Sequence, residues 1–244
     1  MKPFLYLSAR TSDDATAAER ASMLEHTGLG SDALVHHRLD RAPLPEIDLT
    51  ELSGVLLGGS PYDWSAPPER KDPLQRRVEH DVFALVRRIL DADFPFFGAC
   101  YGMGAVATVL ETPLGPDFAE DAGAVTLQVT SAGRSDRLLD DAPAQISSFV
   151  GHHESLLEVP KGAELLLTSA TAPVQMIRVG ERGYATQFHP ELDRSAFIRR
   201  ATLYDGHGYY PAGHIAAIEQ ATLGLDTTPA HRLLRRFALE HGRR

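Results

Sequence analysis

Apolar runs of strand length alternate along the chain with longer stretches of helical period, the pattern of parallel strands joined by crossover helices. Phe4 to Leu7 reads as a first strand, Asp14 to His26 as a helix turning Ala17, Ala21 and Leu24 inward, and Leu34 to His37 as a weaker strand. Gly54 to Leu57 is a short apolar run that stops at Gly58-Gly59-Ser60-Pro61. A buried strand is therefore expected to end in a loop whose backbone can approach a ligand, at the carboxyl edge where open α/β sheets bind them. The clearest helix has Asp72 as its N-cap and Pro73 at its first position, with Leu74, Val78, Val82, Leu85, Val86 and Ile89 at helical spacing. Pro95 to Ala99 is then a buried strand running into Cys100, and Met103 to Leu110 continues as a helix.

The second half changes character. Val125–Val129, Ile146–Val150, Leu165–Thr168, Val174–Val179 and Tyr184–Phe188 are strand-like runs without long helices between them. That part of the sheet is expected to be mixed, with a hairpin turned at Gly180-Glu181-Arg182-Gly183. From Arg194 the tail reads as helical, and Thr228 and Pro229 open a last helix with Leu233, Leu234 and Phe237 inward and Arg232, Arg235 and Arg236 on a solvated face. No repeat or linker interrupts the 244 residues. The expectation is an α/β fold with an open, mixed, mainly parallel sheet flanked by helices, forming one domain over residues 1–244 with a helical C-terminal extension from about residue 194.

Composition adds exclusions. A formal charge of −9, spread along the chain, argues against a phosphate-backbone footprint, so nucleic acid is not expected as a partner. No apolar stretch approaches bilayer length, and Met1 to Ser8 stops at polar residues instead of opening a targeting segment, which makes the cytoplasm the expected compartment and removes membrane as a partner. The single cysteine, Cys100, has no cysteine partner for a disulfide or a thiolate metal cage. It is either a core thiol or a reactive one.

Gly98-Ala99-Cys100-Tyr101-Gly102 has the G-x-C-x-G form of a nucleophile elbow, a tight strand-to-helix turn that exposes its central side chain. The helix that follows directs free N–H groups and its positive end at the sulfur, favouring thiolate, and sets the Tyr101 N–H where an oxyanion would develop. Gln187-Phe188-His189-Pro190-Glu191 follows a predicted strand. Strand alternation would send His189 and Glu191 to one face, a base and its orienter for Cys100. His152, His153 and Glu154 lie together, as do His36 and His37, but neighbours in a strand point to opposite faces and no metal is expected there. His152 or His153 lines a pocket or caps the sheet edge, and Tyr62, Asp63 and Trp64 form either a pocket wall or a packed loop.

"FFGACYGMG" together with "YATQFHPEL" resembles the class I glutamine amidotransferase family, in particular the glutaminase part of GMP synthase and stand-alone members. The likeness runs from "VLLGGSP" through "HPE", well over half the chain. It implies a flavodoxin-like fold and a thioester mechanism in which Cys100 attacks the glutamine side-chain amide, His189 serves as base and then acid, and Glu191 orients it. It also implies an oxyanion hole from the Gly59 and Tyr101 backbone, and substrate contacts at Gly58, Ser60, Met103 and Gly104, with His152 and His153 nearby. Relatives commonly carry glutamine at the position of Gly104, where the side chain helps hold the substrate. Either another group fills that place here or the substrate is a different γ-glutamyl compound. No S-G-G-x-D-S loop or P-loop is present, so no cofactor is expected, and ammonia would pass to an acceptor or to a separate synthetase subunit. A γ-glutamyl hydrolase or peptidase with the same triad, and a catalytically silent regulatory protein, are the alternatives.

Overall fold

The computed structural model of the chain describes residues 2–242. Its first half alternates strand and helix as the periodicity predicts. Strand β1 (Phe4–Ser8) leads into helix α1 (Asp13–Thr27), followed by β2 (Leu34–Arg38), β3 (Gly54–Leu57), α2 (Pro73–Asp91), β4 (Phe96–Ala99) and α3 (Tyr101–Val109). The expected cap is in place: the Asp72 carboxylate accepts the Gln75 N–H at 2.7 Å, with Pro73 next to it. The second half supplies β5 (Leu114–Gly115), β6 (Glu120–Val129), β7 (Gln145–His152), β8 (Ser155–Leu156), β9 (Ala163–Thr168), β10 (Met176–Val179) and β11 (Gly183–Thr186). Helices α4 (Arg194–Leu203), α5 (Ile215–Ala221) and α6 (Thr228–His241) close the chain.

Nine strands form one sheet in the order β2-β1-β3-β4-β11-β10-β9-β6-β7, and β5 and β8 make a separate small ribbon. The pairs from β2 through β11 are parallel, and those from β11 through β7 are antiparallel. This is the mixed, mainly parallel sheet flanked by helices that the sequence predicts. The hairpin falls where expected, with Val179 opposite Gly183. Strand order reverses at β1, so the loops after β1, β3, β4 and β11 gather at one edge, the usual ligand edge of an open α/β sheet.

The strands near the centre carry apolar side chains on both faces, and each face is covered. Phe4, Tyr6, Leu56, Phe97 and Tyr184 pack with Met23 of α1 and with Leu233, Leu234 and Phe237 of α6. On the other face Leu5, Leu7, Val55, Leu57 and Phe96 meet Val78, Val82 and Ile89 of α2 and Val106 of α3. The arginines of α6 are not merely solvated: Arg235 donates to the Thr27 carbonyl at 3.2 Å and Arg236 to that of Leu138 at 3.3 Å. No helix among the described residues is long and apolar enough to cross a membrane.

Helix α1 departs from expectation. Ala17 and Ala21 face solvent, while Ala15, Thr16, Glu19, Ser22 and Met23 are buried. The inward face instead carries Met23 into the core and brings the Glu19 carboxylate into contact with Arg10 and Arg200.

We propose that the tail folds with the sheet as one cooperative domain. Phe237 is fully buried and its ring lies 6.1 Å from Phe4 and 5.6 Å from Phe97. Phe237→Ala is expected to cost about 3–5 kcal/mol. Urea unfolding should remain a single transition at a lower midpoint, and a separate early transition for the tail would argue against the shared core.

Candidate active site

Four adjacent parallel strands deliver the candidate residues to one edge. Arg10 follows β1, Gly58 to Ser60 follow β3, Cys100 follows β4, and His189 lies three residues beyond the end of β11. Cys100 occupies the elbow with φ 51° and ψ −92°, a conformation that costs a non-glycine residue about 1–3 kcal/mol. It is held there by its neighbours. The Cys100 N–H donates to the Thr186 carbonyl at 2.7 Å, extending the β4–β11 pairing past the last strand residue. The tight turn also needs close passage of strand and helix, since a Cβ on Gly98 would lie 2.9 Å from the Gly102 backbone. Helix α3 begins at Tyr101, two residues earlier than the apolar pattern suggests, so the Tyr101 N–H is one of the helix's unpaired first-turn donors.

His189 and Glu191 lie in a turn beyond β11, not on the strand itself. The reason they meet is therefore different from strand alternation. The His189 N–H donates to the Phe149 carbonyl at 2.9 Å, pinning the turn to β7, and the Leu192 N–H returns to the His189 carbonyl at 3.2 Å. Within that turn, His189 Nδ1 lies 2.8 Å from Glu191 Oε1. A carboxylate only accepts, so Nδ1 carries the ring proton and Nε2 keeps its lone pair.

Cys100 and His189 line one cavity, together with Arg10, Ser60, Arg200 and Tyr209. A second cavity also reaches Cys100 and is lined by Tyr62, Asp63, Gly104, His153, Gln187 and Tyr209, among others. Burial pushes the Cys100 thiol up to about 12, although Arg10 pulls the other way. Desolvation thus opposes the thiolate that the helix end favours, and a base beside the sulfur would offset it. Burial likewise lowers His189 from its ordinary value, aided by Arg200 and Arg10 and opposed by Glu191. Burial alone would raise Glu191, but His189 and Arg200 outweigh it and hold the carboxyl far below the usual range.

Arg10, Glu19 and Arg200 escape sequence reasoning. Arg200 Nη1 donates to Glu191 Oε1 at 2.8 Å, and its Nη2 lies 3.2 Å from Glu19 Oε1. Glu19 also accepts Arg10 Nε at 2.7 Å and the Tyr6 hydroxyl at 2.6 Å. The only sequence signal is weak: Glu19 shares helical spacing with Ala15, Ser22 and Met23. Gly59 fits between these groups because a Cβ there would stand 2.6 Å from Arg10 Nη2 and 2.9 Å from His189 Cε1.

The remaining candidates separate. Ser60 lines both cavities, and its hydroxyl donates to the Ala9 carbonyl at 3.1 Å. Gly58 lies beneath them against Glu19 and Tyr6, and Met103 is buried in the hydrophobic core and lines neither cavity. His152 borders the second cavity, but both ring nitrogens are engaged, Nε2 with Glu120 at 2.9 Å and Nδ1 with the Glu154 carbonyl at 3.0 Å. His153 remains closer to solvent, 3.4 Å from Asp63 and stacked on Tyr209.

Gly104 is filled from outside. A Cβ on it would meet Trp64 Cδ1 at 2.5 Å, because the Trp64 indole packs over the helix and donates Nε1–H to the Tyr101 carbonyl at 3.0 Å. Glu154 fixes that loop, its two carboxylate oxygens accepting the Trp64 and Ser65 N–H groups, each at 2.7 Å. The tryptophan is thus packed against the helix, while its neighbours Tyr62 and Asp63 line the second cavity.

Among known proteins, the family model for glutamine amidotransferase class-I matches residues 23–200. GMP synthase [glutamine-hydrolyzing] of Campylobacter lari is 26% identical over 155 residues, covering 63% of this chain and 27% of that protein. The enzyme of the same description from Streptococcus mutans is 29% identical over 148 residues, covering 59% and 26%. The chain therefore spans only about a quarter of the length of these curated relatives. Two solved structures share the fold: a glutamine amidotransferase from Thermotoga maritima, with a TM-score of 0.75 at 19% identity over 98% of this chain and 97% of that one, and a glutamine amidotransferase from Methylobacillus flagellatus, with a TM-score of 0.72 at 16% identity over 99% and 95%.

Replacing a helical glycine by alanine ordinarily stabilises by about 1 kcal/mol. Gly104→Ala is expected to destabilise instead, because of the indole, and to become stabilising when combined with Trp64→Ala. Denaturant midpoints of the four proteins in this double-mutant cycle test the contact, and additive effects would count against it.

Proposed function

The chain belongs to the class I glutamine amidotransferase family, and on that premise we propose that it hydrolyses the side-chain amide of glutamine through a cysteinyl thioester on Cys100. One observation carries the reading: the free thiol of Cys100 shares a cavity with an imidazole whose Nδ1–H is held by a buried carboxylate. That arrangement leaves Nε2 to act as the base.

In this mechanism His189 Nε2 takes the Sγ proton as sulfur attacks the amide carbon. The developing oxyanion faces the N–H groups of Tyr101 and Gly59. His189 then gives the proton to the departing nitrogen, the C–N bond breaks, and ammonia leaves. Water, deprotonated by the same imidazole, attacks the thioester and releases glutamate with the thiol restored. Glu191 fixes the tautomer throughout. Since burial pushes the thiol up, proton transfer to His189 would accompany attack.

His189 lines the first cavity and not the second, which supports departure of the amine through the first and seating of the glutamyl portion in the second. At the place where relatives use a glutamine side chain, the indole of Trp64 stands against Gly104. Backbone groups around Gly151, with Asp63 and His153 at the rim, are then what remains to hold the amino-acid end. The same observation favours a second reading, a γ-glutamyl hydrolase acting on a larger amide. Delivery of ammonia to an acceptor on a separate synthetase is part of the first reading and is suggested by the relatives' description as GMP synthases.

Ammonia release from glutamine is expected from the wild type and should vanish with Cys100→Ala. Turnover confined to γ-glutamyl conjugates would favour the hydrolase, and no labelling of Cys100 by diazo-oxo-norleucine would favour a silent protein. The lowered His189 fixes the acid side of the profile. A base must be unprotonated to work, so kcat/KM should rise with pH through a midpoint below histidine's ordinary 6.5 and be level at neutral pH.

A further inference from the structure

Behind the candidate triad, charges alternate: Glu191, Arg200, Glu19, Arg10. Their side chains are 0%, 12%, 0% and 4% exposed. Buried charges are tolerated only when each has a partner of opposite sign with good geometry. Here every contact in the series is a short one: 2.8 Å from Arg200 to Glu191, 3.2 Å from Arg200 to Glu19, and 2.7 Å from Arg10 to Glu19. Two guanidiniums balance two carboxylates, so the imidazole needs no charge of its own for the cluster to be neutral.

We propose that Arg200 and Glu19 are positioning residues for this site: Arg200 neutralises Glu191 from behind so that His189 rests as a neutral, proton-accepting imidazole, and Glu19 holds Arg200 in place while offsetting part of its charge. The inference depends on the reading of His189 as the base. A buried glutamate facing histidine alone would draw a proton onto the ring, giving an imidazolium that cannot accept another from Cys100. Arg200 supplies a permanent counter-charge, since guanidinium does not titrate in proteins. It also stands against the ring, with Nη1 3.1 Å from His189 Nδ1, so a ring made cationic by a second proton at Nε2 would lie beside another cation. Glu19 holds the other guanidinium nitrogen, and its own oxygens are fixed by Arg10 and Tyr6.

The groups facing His189 come from every neighbouring element. They are Glu191 on its own turn, Arg200 from α4, Arg10 after β1 and Cys100 from the elbow; Tyr204 and Tyr209 line the same cavity, and Glu19 from α1 lies one contact further back. Arg10 and Arg200 oppose protonation, and Glu191 favours it. Glu19 carries the opposite charge from Arg200 and lies one contact further back, so its removal should act on the ring with the opposite sign, which a purely structural role would not produce.

The acid limb of kcat/KM for glutamine, repeated as the pH dependence of Cys100 labelling by diazo-oxo-norleucine, reads this directly. Arg200→Met should move the limb to higher pH by about one unit, a tenfold loss at fixed pH on the limb. Arg200→Lys should restore most of it. Glu19→Gln should move the limb the other way, because Arg10 and Arg200 then face the ring uncompensated. Limbs that stay in place in folded variants, or that shift in the same direction, would overturn the inference while leaving the triad reading intact. A wild type that never labels would sink both. If the variants do not fold, the nitrogen resonances of His189 in the wild type decide: a neutral Nδ1–H tautomer at neutral pH is expected, and an imidazolium signature contradicts it.

Discussion

The pairing of β11 with β4 is the constraint on which the site depends. Thr186 lies beside Ala99 in register, and the Cys100 N–H closes the ladder onto the Thr186 carbonyl. That bond holds the elbow in a backbone conformation it would otherwise leave, and fixes how far from the sulfur the chain after β11 turns. A slip of that strand by one residue would reverse which of its side chains face each layer. The apolar side chains of Phe96, Phe97, Tyr184 and Ala185, buried on the two faces, oppose such a slip.

On this frame the core and the site make different demands. The sheet faces are filled with apolar side chains, yet just beneath the loops at the carboxyl edge lie four charged groups and a tyrosine hydroxyl. A hydrophobic replacement of comparable volume would often be as stable or more so. On the proposed reading, ions retained there would set the protonation of the imidazole, and α1 contributes to them by turning Glu19 inward.

Much of the fold was legible because strand length and helical period are local properties. β3 was read to the residue, and α2 was fixed at its start by Asp72 and Pro73. The three residues of the candidate triad were legible through local motifs, an elbow with flanking glycines and a histidine two positions before a glutamate. What stayed hidden depends on distant partners. Glu19 looks like a surface residue until Arg10 and Arg200 are placed beside it, and Ala17 and Ala21 look like an inward face until Glu19 and Met23 take that side. Gly104 looks like a missing ligand until Trp64 is seen to occupy its place. The upward push on the Cys100 thiol comes from its surroundings, which a motif does not encode.

The segment between α4 and α5 carries Tyr204, Tyr209 and Tyr210 across the cavity that holds Cys100, and Tyr209 borders both cavities. It is laid down there by the Ala122 N–H, which donates to the Tyr209 carbonyl at 2.7 Å, and by stacking on His153. On the proposed mechanism, an acyl group on sulfur would lie under this aromatic cover. The cover would then bear on how freely bulk solvent reaches the thioester, and so on its division between hydrolysis and capture by another nucleophile, from a stretch of chain that contains none of the three candidate residues.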